Sequence, residues 1–258
     1  MRVGNTRRAA MAVASVAVAA LVLASCSAAA ASPPPPPSAS SGLIQNRVIP
    51  AAIAQVPMTD QHGQTVTLAS LQGKTLMIVP SLTLCTDICP MTTENLVQVH
   101  RALVRAGVAS NVAIVEVSVD PVRDTVARLA AYAQLTGADW YLTTETPADL
   151  AELAAYFGFY SHQVPEDNPP SIDWLTHQPL TYDIVHSDGY VLVTPAGHMV
   201  FSNAAAPAFH GTLPPKLRHF LSAEGVDHLK HPPQPDWTPA DALAALAWTI
   251  GKPLPAST

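Results

Sequence analysis

The chain has 258 residues, of which 48% are hydrophobic and 12% are charged. Residues 1–25 carry three arginines and no acid, so the remainder has 10 basic side chains against 19 acidic ones, a formal charge of −9. This acidic balance, with no basic run after Arg8, excludes nucleic acid as an expected partner, because phosphate backbones are bound by clustered lysine and arginine.

The N-terminus has the pattern of a bacterial lipoprotein signal. Three arginines form a positive region, and the apolar run at 9–24 is too short to favour a membrane-spanning helix. The following residues, LASC, resemble a lipobox, in which the cysteine, here Cys26, carries the lipid. We expect residues 1–25 to be removed and the exported protein to be anchored through lipid to the outer face of the cell membrane. The alternative is an ordinary secretory signal with an incidental cysteine.

The chain after the signal divides into three segments by composition. Residues 26–46 contain small residues and five consecutive prolines, which predict an extended tether. Residues 47–225 have the composition of a globular domain. Residues 226–258 form a proline-rich extension with one helical run near 239–250.

Strands and helices alternate through the globular domain. A short hairpin around a His62-Gly63 turn comes first. Strands are predicted at 75–82, 112–120 and 140–144, and helices at 87–107, 122–136 and 147–158. An irregular insert at 161–181 precedes two strand runs within 182–202, joined by the turn TPAGH, and a last helix at 212–225. This order predicts an α/β, thioredoxin-like domain with a central mixed sheet flanked by helices.

The stretch SLTLCTDICPMTTE places Cys85 and Cys89 four residues apart, where the first core strand is predicted to end and the first long helix to begin. Two thiols at i and i+4 near a first helical turn can project on one side. A helix N-terminus lowers thiol pKa values, which favours thiolates. Two soft thiolates suit copper in its reduced state. They supply only two ligands, so a third must come from elsewhere in the chain.

Four stretches together resemble the Sco/SenC family, thioredoxin-like copper proteins that help assemble the dinuclear copper centre of cytochrome c oxidase. They are LQGKTLMI, TLCTDICPMTTENL, VSVDPVRDT and DIVHSDGYVLVTPAG, and the resemblance covers roughly residues 55–222. It implies one copper ion, as Cu(I), Cu(II) or both, held by Cys85, Cys89 and His186. It also implies that Asp87, between the cysteines, lies next to the ligands and helps to position them without binding the metal itself. The implied partners are the copper-centre subunit of the oxidase and other copper chaperones or thiol reductants.

The chain departs from the family pattern beside the first cysteine and in the insert. Family members usually carry aromatic residues where this chain has Pro80, Ser81 and Leu82, and often a proline where it has Thr86. The insert at 166–180 is longer and richer in proline than the family pattern. We therefore expect altered packing around the dithiol and an altered partner surface, with the three ligands retained.

His186 is favoured over the other histidines because it ends an apolar strand run and precedes the turn SDG. An imidazole suits both oxidation states of copper. His198, in the following hairpin turn, is its closest rival. Surface or capping roles are expected for the remaining candidates, which are His162, His177, His210, His219, His228 and His231.

The expected function is that of a membrane-anchored copper metallochaperone that delivers copper to the oxidase. The alternative is a thiol-disulfide oxidoreductase in which Cys85 attacks and Cys89 resolves, keeping the cysteines of an oxidase subunit reduced. A purely structural disulfide is a third hypothesis, although so short a loop gains little entropically. Asp120 is interpreted as part of a turn and helix cap, with Asp124 adding negative charge to the helix start.

Overall fold

An eight-stranded mixed sheet forms the centre of the chain in this computed structural model, which describes Met1 and residues 32–256. The described strands, including those of two smaller sheets, are β1 (Leu43–Val48), β2 (Met58–Asp60), β3 (Thr65–Val66), β4 (Thr75–Ser81), β5 (Val112–Ser118), β6 (Tyr141–Thr144), β7 (Ser161–Pro165), β8 (Tyr182–His186), β9 (Tyr190–Val193), β10 (His198–Asn203), β11 (Ala206–Pro207) and β12 (Asp236–Trp237). The order across the large sheet is β1-β10-β9-β4-β5-β6-β2-β3.

The helices are bounded by recognisable capping residues. The described α-helices are α1 (Ala51–Ala54), α2 (Cys89–Arg105), α3 (Val126–Thr136), α4 (Pro147–Phe157), α5 (Pro215–Arg218), α6 (Ala223–Lys230) and α7 (Pro239–Ile250). Before α4, the Thr146 hydroxyl accepts a hydrogen bond from the Asp149 N–H, and Gly158 ends the helix with φ 78°. A left-handed residue of this kind favours glycine. The predicted start and end of this helix are therefore confirmed.

Three neighbouring strands, β4, β5 and β6, form the middle of the large sheet. β4, β5 and β6 run parallel, and β9 lies antiparallel to β4 on its other side. Met77 and Val79 pack with α2 in one core, whereas Leu76 and Ile78 pack with α4 in a second core. Because apolar residues cover both faces of β4 and β5, the sequences of these two strands are mostly hydrophobic, and the strands predicted there are confirmed. The arrangement is thioredoxin-like, and it places the end of β4 directly before the two cysteines.

The region 161–181 is not entirely irregular, so that part of the prediction is wrong. Residues 161–165 form β7, which pairs antiparallel with β8 so that Ser161 lies opposite His186. The polar sequence SHQVP gives no strand signal, and its extended shape comes from hydrogen bonding to β8. The first strand run within 182–202 therefore belongs to this small separate sheet, while β9 and β10 form the hairpin around the predicted turn.

The last helix of the predicted domain, at 212–225, is two helices. α5 ends at Arg218, and α6 begins after Ser222, whose hydroxyl accepts the Gly225 N–H. Ser222 has an extended backbone, with φ −65° and ψ 177°, which interrupts the helix. The helix predicted at 122–136 likewise starts at Val126 rather than at 122, because the chain turns before Thr125, whose hydroxyl caps α3 by accepting the Arg128 N–H.

The segments flanking the predicted domain contribute to the sheet and to the core. Residues 43–46, assigned from composition to the tether, belong to β1, which pairs with β10. In the C-terminal extension, Trp237 is fully buried and its ring packs edge-on against Tyr190, with centroids 5.1 Å apart. Apart from Met1, the predicted signal at 1–25 lies outside the described residues, as does the predicted lipidation residue Cys26. Within the described part of the chain, none of the helices is long and apolar enough to cross a membrane.

Candidate metal centre

Three potential ligands from separate parts of the chain meet at the end of β4. They are Cys85 in the loop after β4, Cys89 at the first residue of α2, and His186 at the last residue of β8. Their sulfur and imidazole nitrogen atoms all lie within 4.8 Å of one another. Cys89 Sγ is 3.4 Å from His186 Nε2. Both cysteines are free thiols, and of the two only Cys89 lies in the helix.

The His186 ring is oriented by its own backbone neighbourhood. Its Nδ1 lies 2.6 Å from the Ser187 carbonyl oxygen, which has no proton and must accept, so Nδ1 carries the hydrogen. Asp188 Oδ1 is 3.6 Å from the same nitrogen. Nε2 is therefore left to face the thiols. Metal-binding histidines usually have this arrangement, with the second nitrogen donating to a carbonyl or carboxylate.

The two thiols have opposite pKa shifts. The neighbouring Cys89 thiol lowers the pKa of Cys85 well below its usual value despite burial, and His186 lowers it further. The same interaction, together with burial, raises the pKa of Cys89. Burial disfavours a charge on His186, but the Cys85 thiolate and Asp188 raise its pKa to about 9. These shifts favour a Cys85 thiolate beside a protonated His186, and a metal bound at Nε2 would displace the proton on that nitrogen.

Apolar side chains and the insert surround the dithiol loop, which is the segment 82–88 between β4 and α2. Leu82, Leu84 and Val119 are buried around Cys89. Trp174, from the insert, packs against this cluster, and its indole N–H donates to the Thr83 carbonyl at 2.8 Å. Although the residues before Cys85 lack the aromatics of the family pattern, an aromatic ring from the insert covers the loop.

A buried ion pair fastens the insert to α3. Asp173 accepts two hydrogen bonds from the Arg128 guanidinium, at 2.9 and 2.6 Å, and one from the Leu175 N–H at 2.8 Å. Burial alone would raise the pKa of Asp173, but these donors, Arg128 above all, hold it well below its usual value. The pair therefore stabilises the folded state above the ordinary aspartate pKa of about 3.9 and loses this effect as the pH falls below it.

We expect Asp173→Asn to lower the free energy of unfolding by about 3 kcal/mol at pH 7, because Arg128 loses its buried partner. Since asparagine does not titrate, the difference from the unchanged protein should shrink as the pH falls below about 4. Urea unfolding at pH 7 and pH 3 measures both effects. Asp227→Asn, in an exposed pair with His231, is the control and should change little at either pH. An equal Asp173→Asn difference at both pH values would contradict the assignment.

Asp124, predicted to add negative charge at the start of α3, also has a structural role that the sequence did not indicate. Its buried carboxylate accepts hydrogen bonds from the Thr83 hydroxyl, from the Thr83 N–H at 3.3 Å, and from the Ser118 hydroxyl at 2.8 Å. It thereby ties the turn after β5 to the loop that precedes Cys85. Asp120 lies in the predicted turn, where it pairs with Arg123 and accepts the Tyr182 hydroxyl at 3.2 Å.

Asp87, predicted to help position the ligands, faces a different partner. Its Oδ1 lies 2.6 Å from Nδ1 of His228 on α6, a histidine assigned from sequence to the surface. His198, the rival for the third ligand, lies at the start of β10, with its Nδ1 2.7 Å from Asn46 Oδ1. The contact between Asp87 and His228 spans 141 residues. No local spacing or motif could have indicated it.

The fold is thioredoxin-like, and two thiols and an imidazole meet at the end of its central strand β4. The protein therefore has a candidate site for a soft metal. Residues 51–207 match the family model described as SCO1/SenC. This match covers more than half of the chain, and the protein therefore belongs to the SCO1/SenC family.

The individual proteins that resemble this chain share less than 30% sequence identity with it. The chain is 29% identical to the mitochondrial SCO2 homolog of Bos taurus over 149 residues, covering 57% of this chain and 52% of the bovine protein. It is 26% identical over 148 residues to a Stutzerimonas stutzeri protein named as a copper-binding protein, covering 57% and 67%. The solved structure of Bradyrhizobium japonicum ScoI with copper bound is 26% identical, with a TM-score of 0.49, and 68% of this chain and 95% of that chain are covered. The match spans about half the length of the bovine relative.

Proposed function

We propose that this protein is a copper metallochaperone that binds one copper ion and delivers it to the copper-centre subunit of cytochrome c oxidase. The observation that carries the proposal is the convergence of Cys85, Cys89 and His186, whose ligand atoms lie within 4.8 Å of one another. Membership of the SCO1/SenC family supports the same assignment. So does the similarity to a bacterial protein named for copper binding.

The ligand set suits a metal that must be both held and released. The thiolates favour Cu(I), and the imidazole accommodates Cu(I) and Cu(II). Three ligands leave a coordination position at which a thiolate of the acceptor can bind before any protein ligand leaves. Cys85 is more exposed than Cys89. We infer that the acceptor approaches from the Cys85 side and that copper passes by ligand exchange with no change in its oxidation state.

The proposed setting is the outer face of the cell membrane, with Cys26 carrying the lipid. The charged region, apolar run and LASC sequence support this localisation. Outside the cytosol two close thiols oxidise unless a metal or reductant protects them. Other copper chaperones or thiol reductants are therefore expected as further partners, supplying copper or keeping the dithiol reduced.

The proposal is tested by metal analysis and thiol counting on the purified, reduced protein. With excess Cu(I) and no oxygen, we expect one copper per chain and protection of Cys85 and Cys89 from alkylation. Both thiols should react when copper is removed with a chelator. Copper-free protein whose thiols react equally fast with and without Cu(I) would overturn the proposal.

A second candidate function is supported by the asymmetry of the dithiol. Cys85 has the lowered pKa and the greater exposure, as expected of an attacking thiolate, and Cys89 is buried with a raised pKa. Cys85 would attack a disulfide of the partner to give a mixed disulfide. That attack releases one partner sulfur as a thiolate; Cys89 would then lose its proton and attack the Cys85 sulfur, displacing the partner sulfur still bonded to it and leaving a Cys85–Cys89 disulfide and two reduced partner thiols. Disulfide turnover that is unaffected by copper would favour this function.

A further inference from the structure

A second group of metal-binding side chains lies beside the loop between the cysteines. Asp87 of that loop meets Glu224 and His228 of α6, and one ligand atom from each lies within 4.8 Å of the others. Asp87 and His228 are half-buried, while Glu224 is exposed. The group is therefore ordered by packing on one side and open to ions from solution on the other.

Main-chain contacts hold the two halves of this group together. The Ser222 N–H donates to the Thr86 carbonyl at 2.7 Å. Gly225 lies so close to the loop that a Cβ atom there would come within 2.6 Å of the Thr86 carbonyl oxygen and 2.9 Å of the Asp87 carbonyl oxygen. Glu224 and His228 are four residues apart, so they share one face of α6. That face is fixed against the dithiol loop.

We propose that Asp87, Glu224 and His228 form a second metal site that takes a divalent cation of the Cu²⁺ or Zn²⁺ type. One imidazole nitrogen and two carboxylate oxygens are ligands that both ions accept, and three protein ligands leave room for water. The two carboxylates also balance the charge of a divalent ion. The group contains no thiolate, so it lacks the preference for Cu(I) that Cys85 and Cys89 provide.

A cation at this site would link α6 to the dithiol loop. Because the ion would bind the folded chain through side chains that are 141 residues apart in sequence, it should stabilise the folded state in proportion to its occupancy. Binding therefore has two independent readouts, metal affinity and resistance to thermal unfolding.

The test uses protein carrying Cys85→Ser, Cys89→Ser and His186→Ala, which removes the first site and keeps the second group. Calorimetric titration with Zn²⁺ is expected to show one ion per chain, accompanied by a rise in the unfolding temperature. Electron paramagnetic resonance of added Cu²⁺ is expected to show a single nitrogen ligand. Adding His228→Ala should weaken binding by at least about tenfold, and Glu224→Gln should also weaken it.

The matched control is His231→Ala, which removes an exposed histidine whose Nδ1 lies 3.0 Å from Asp227 on the same segment. It should leave both readouts unchanged. No ion bound to the background protein, or equal affinity in the His228→Ala and His231→Ala proteins, would overturn the inference. If the triple variant does not fold, His228→Ala and His231→Ala are compared in the otherwise unchanged protein. The measurement is then the binding of Zn²⁺ after Cu(I) has filled the thiol site. Failure of the thiol site alone would count against the proposed function and leave this inference standing.

Discussion

Replacing His186 with alanine is expected to weaken copper binding by at least about 100-fold. Its Nε2 lies 3.4 Å from Cys89 Sγ and is the nitrogen donor of the three-ligand cluster. Loss of residues that merely orient a ligand weakens metal binding by about 10- to 100-fold, so loss of the ligand itself should reach or exceed the upper end. The loss should be greatest for Cu(II), which depends more on the imidazole than Cu(I) does. Competition titrations against chelators of each oxidation state measure it.

The control for this prediction is His198→Ala. His198 lies at the start of β10, near Asn46 of the edge strand β1, and is not one of the three clustered ligands. Its removal should leave copper affinity unchanged. Cys85→Ala and Cys89→Ala should weaken Cu(I) binding at least as much as His186→Ala does, because the soft ligands are lost. Wild-type affinity in the folded His186→Ala protein, or an equal loss with His198→Ala, would contradict the assignment of the third ligand.

The centre of the fold could be predicted because its signals are local. β4 and β5 are buried on both faces, so their sequences are predominantly apolar, interrupted within β5 by Glu116, and can be recognised without knowledge of their neighbours. Threonine, proline and glycine at the ends of α4 identify that helix in the same way. Since chemistry in such folds sits where a central strand ends, the position of Cys85 and Cys89 followed directly.

The support of the site could not be predicted, because it depends on contacts between distant residues. Trp174 donates to the Thr83 carbonyl across 91 residues, and His228 meets Asp87 across 141. Periodicity and turn signals describe only neighbouring positions, whereas these pairs are set by how the insert and α6 pack on the finished sheet. His186 is predicted as the third ligand from its place at the end of an apolar strand run and from the family resemblance, which carries information about distant pairs.

Composition was misleading at the C-terminus for a related reason. Prolines suggested an extension beyond the domain, yet Trp237 and Leu246 are fully buried. The contacts of α7 are mainly with α2, the helix that starts at Cys89. This proline-rich segment therefore supports the element that carries one of the two thiols.

The dithiol loop is thus held from three directions by parts of the chain outside the C-x-x-x-C motif. Trp174 holds the Thr83 carbonyl, Asp124 holds the Thr83 N–H and hydroxyl, and Ser222 holds the Thr86 carbonyl. Residues that flank the two thiols are therefore fixed before a metal arrives. Preorganisation of this kind increases affinity because less freedom is lost on binding.

Asp124→Asn is expected to disturb both stability and copper binding, because Asp124 is the buried acceptor at the centre of this support. An asparagine would turn N–H groups towards the Thr83 and Ser118 donors, leaving at least one of them unsatisfied. We expect a loss of about 2–3 kcal/mol in the free energy of unfolding. Copper affinity should also fall by roughly tenfold, because Thr83 lies two residues before Cys85. Chemical unfolding and copper competition titrations measure the two effects.

Two further variants separate this role from a general effect of charge. Asp149→Asn, at the exposed start of α4, also removes a negative charge and should leave copper affinity unchanged, with a stability change below about 1 kcal/mol. Thr83→Val removes the hydrogen bond between the Thr83 hydroxyl and Asp124 by deleting its donor. Because the two residues share that bond, the double variant should lose less stability than the sum of the single losses. Additive losses together with normal copper affinity would mean that Asp124 stabilises the fold without positioning the dithiol loop.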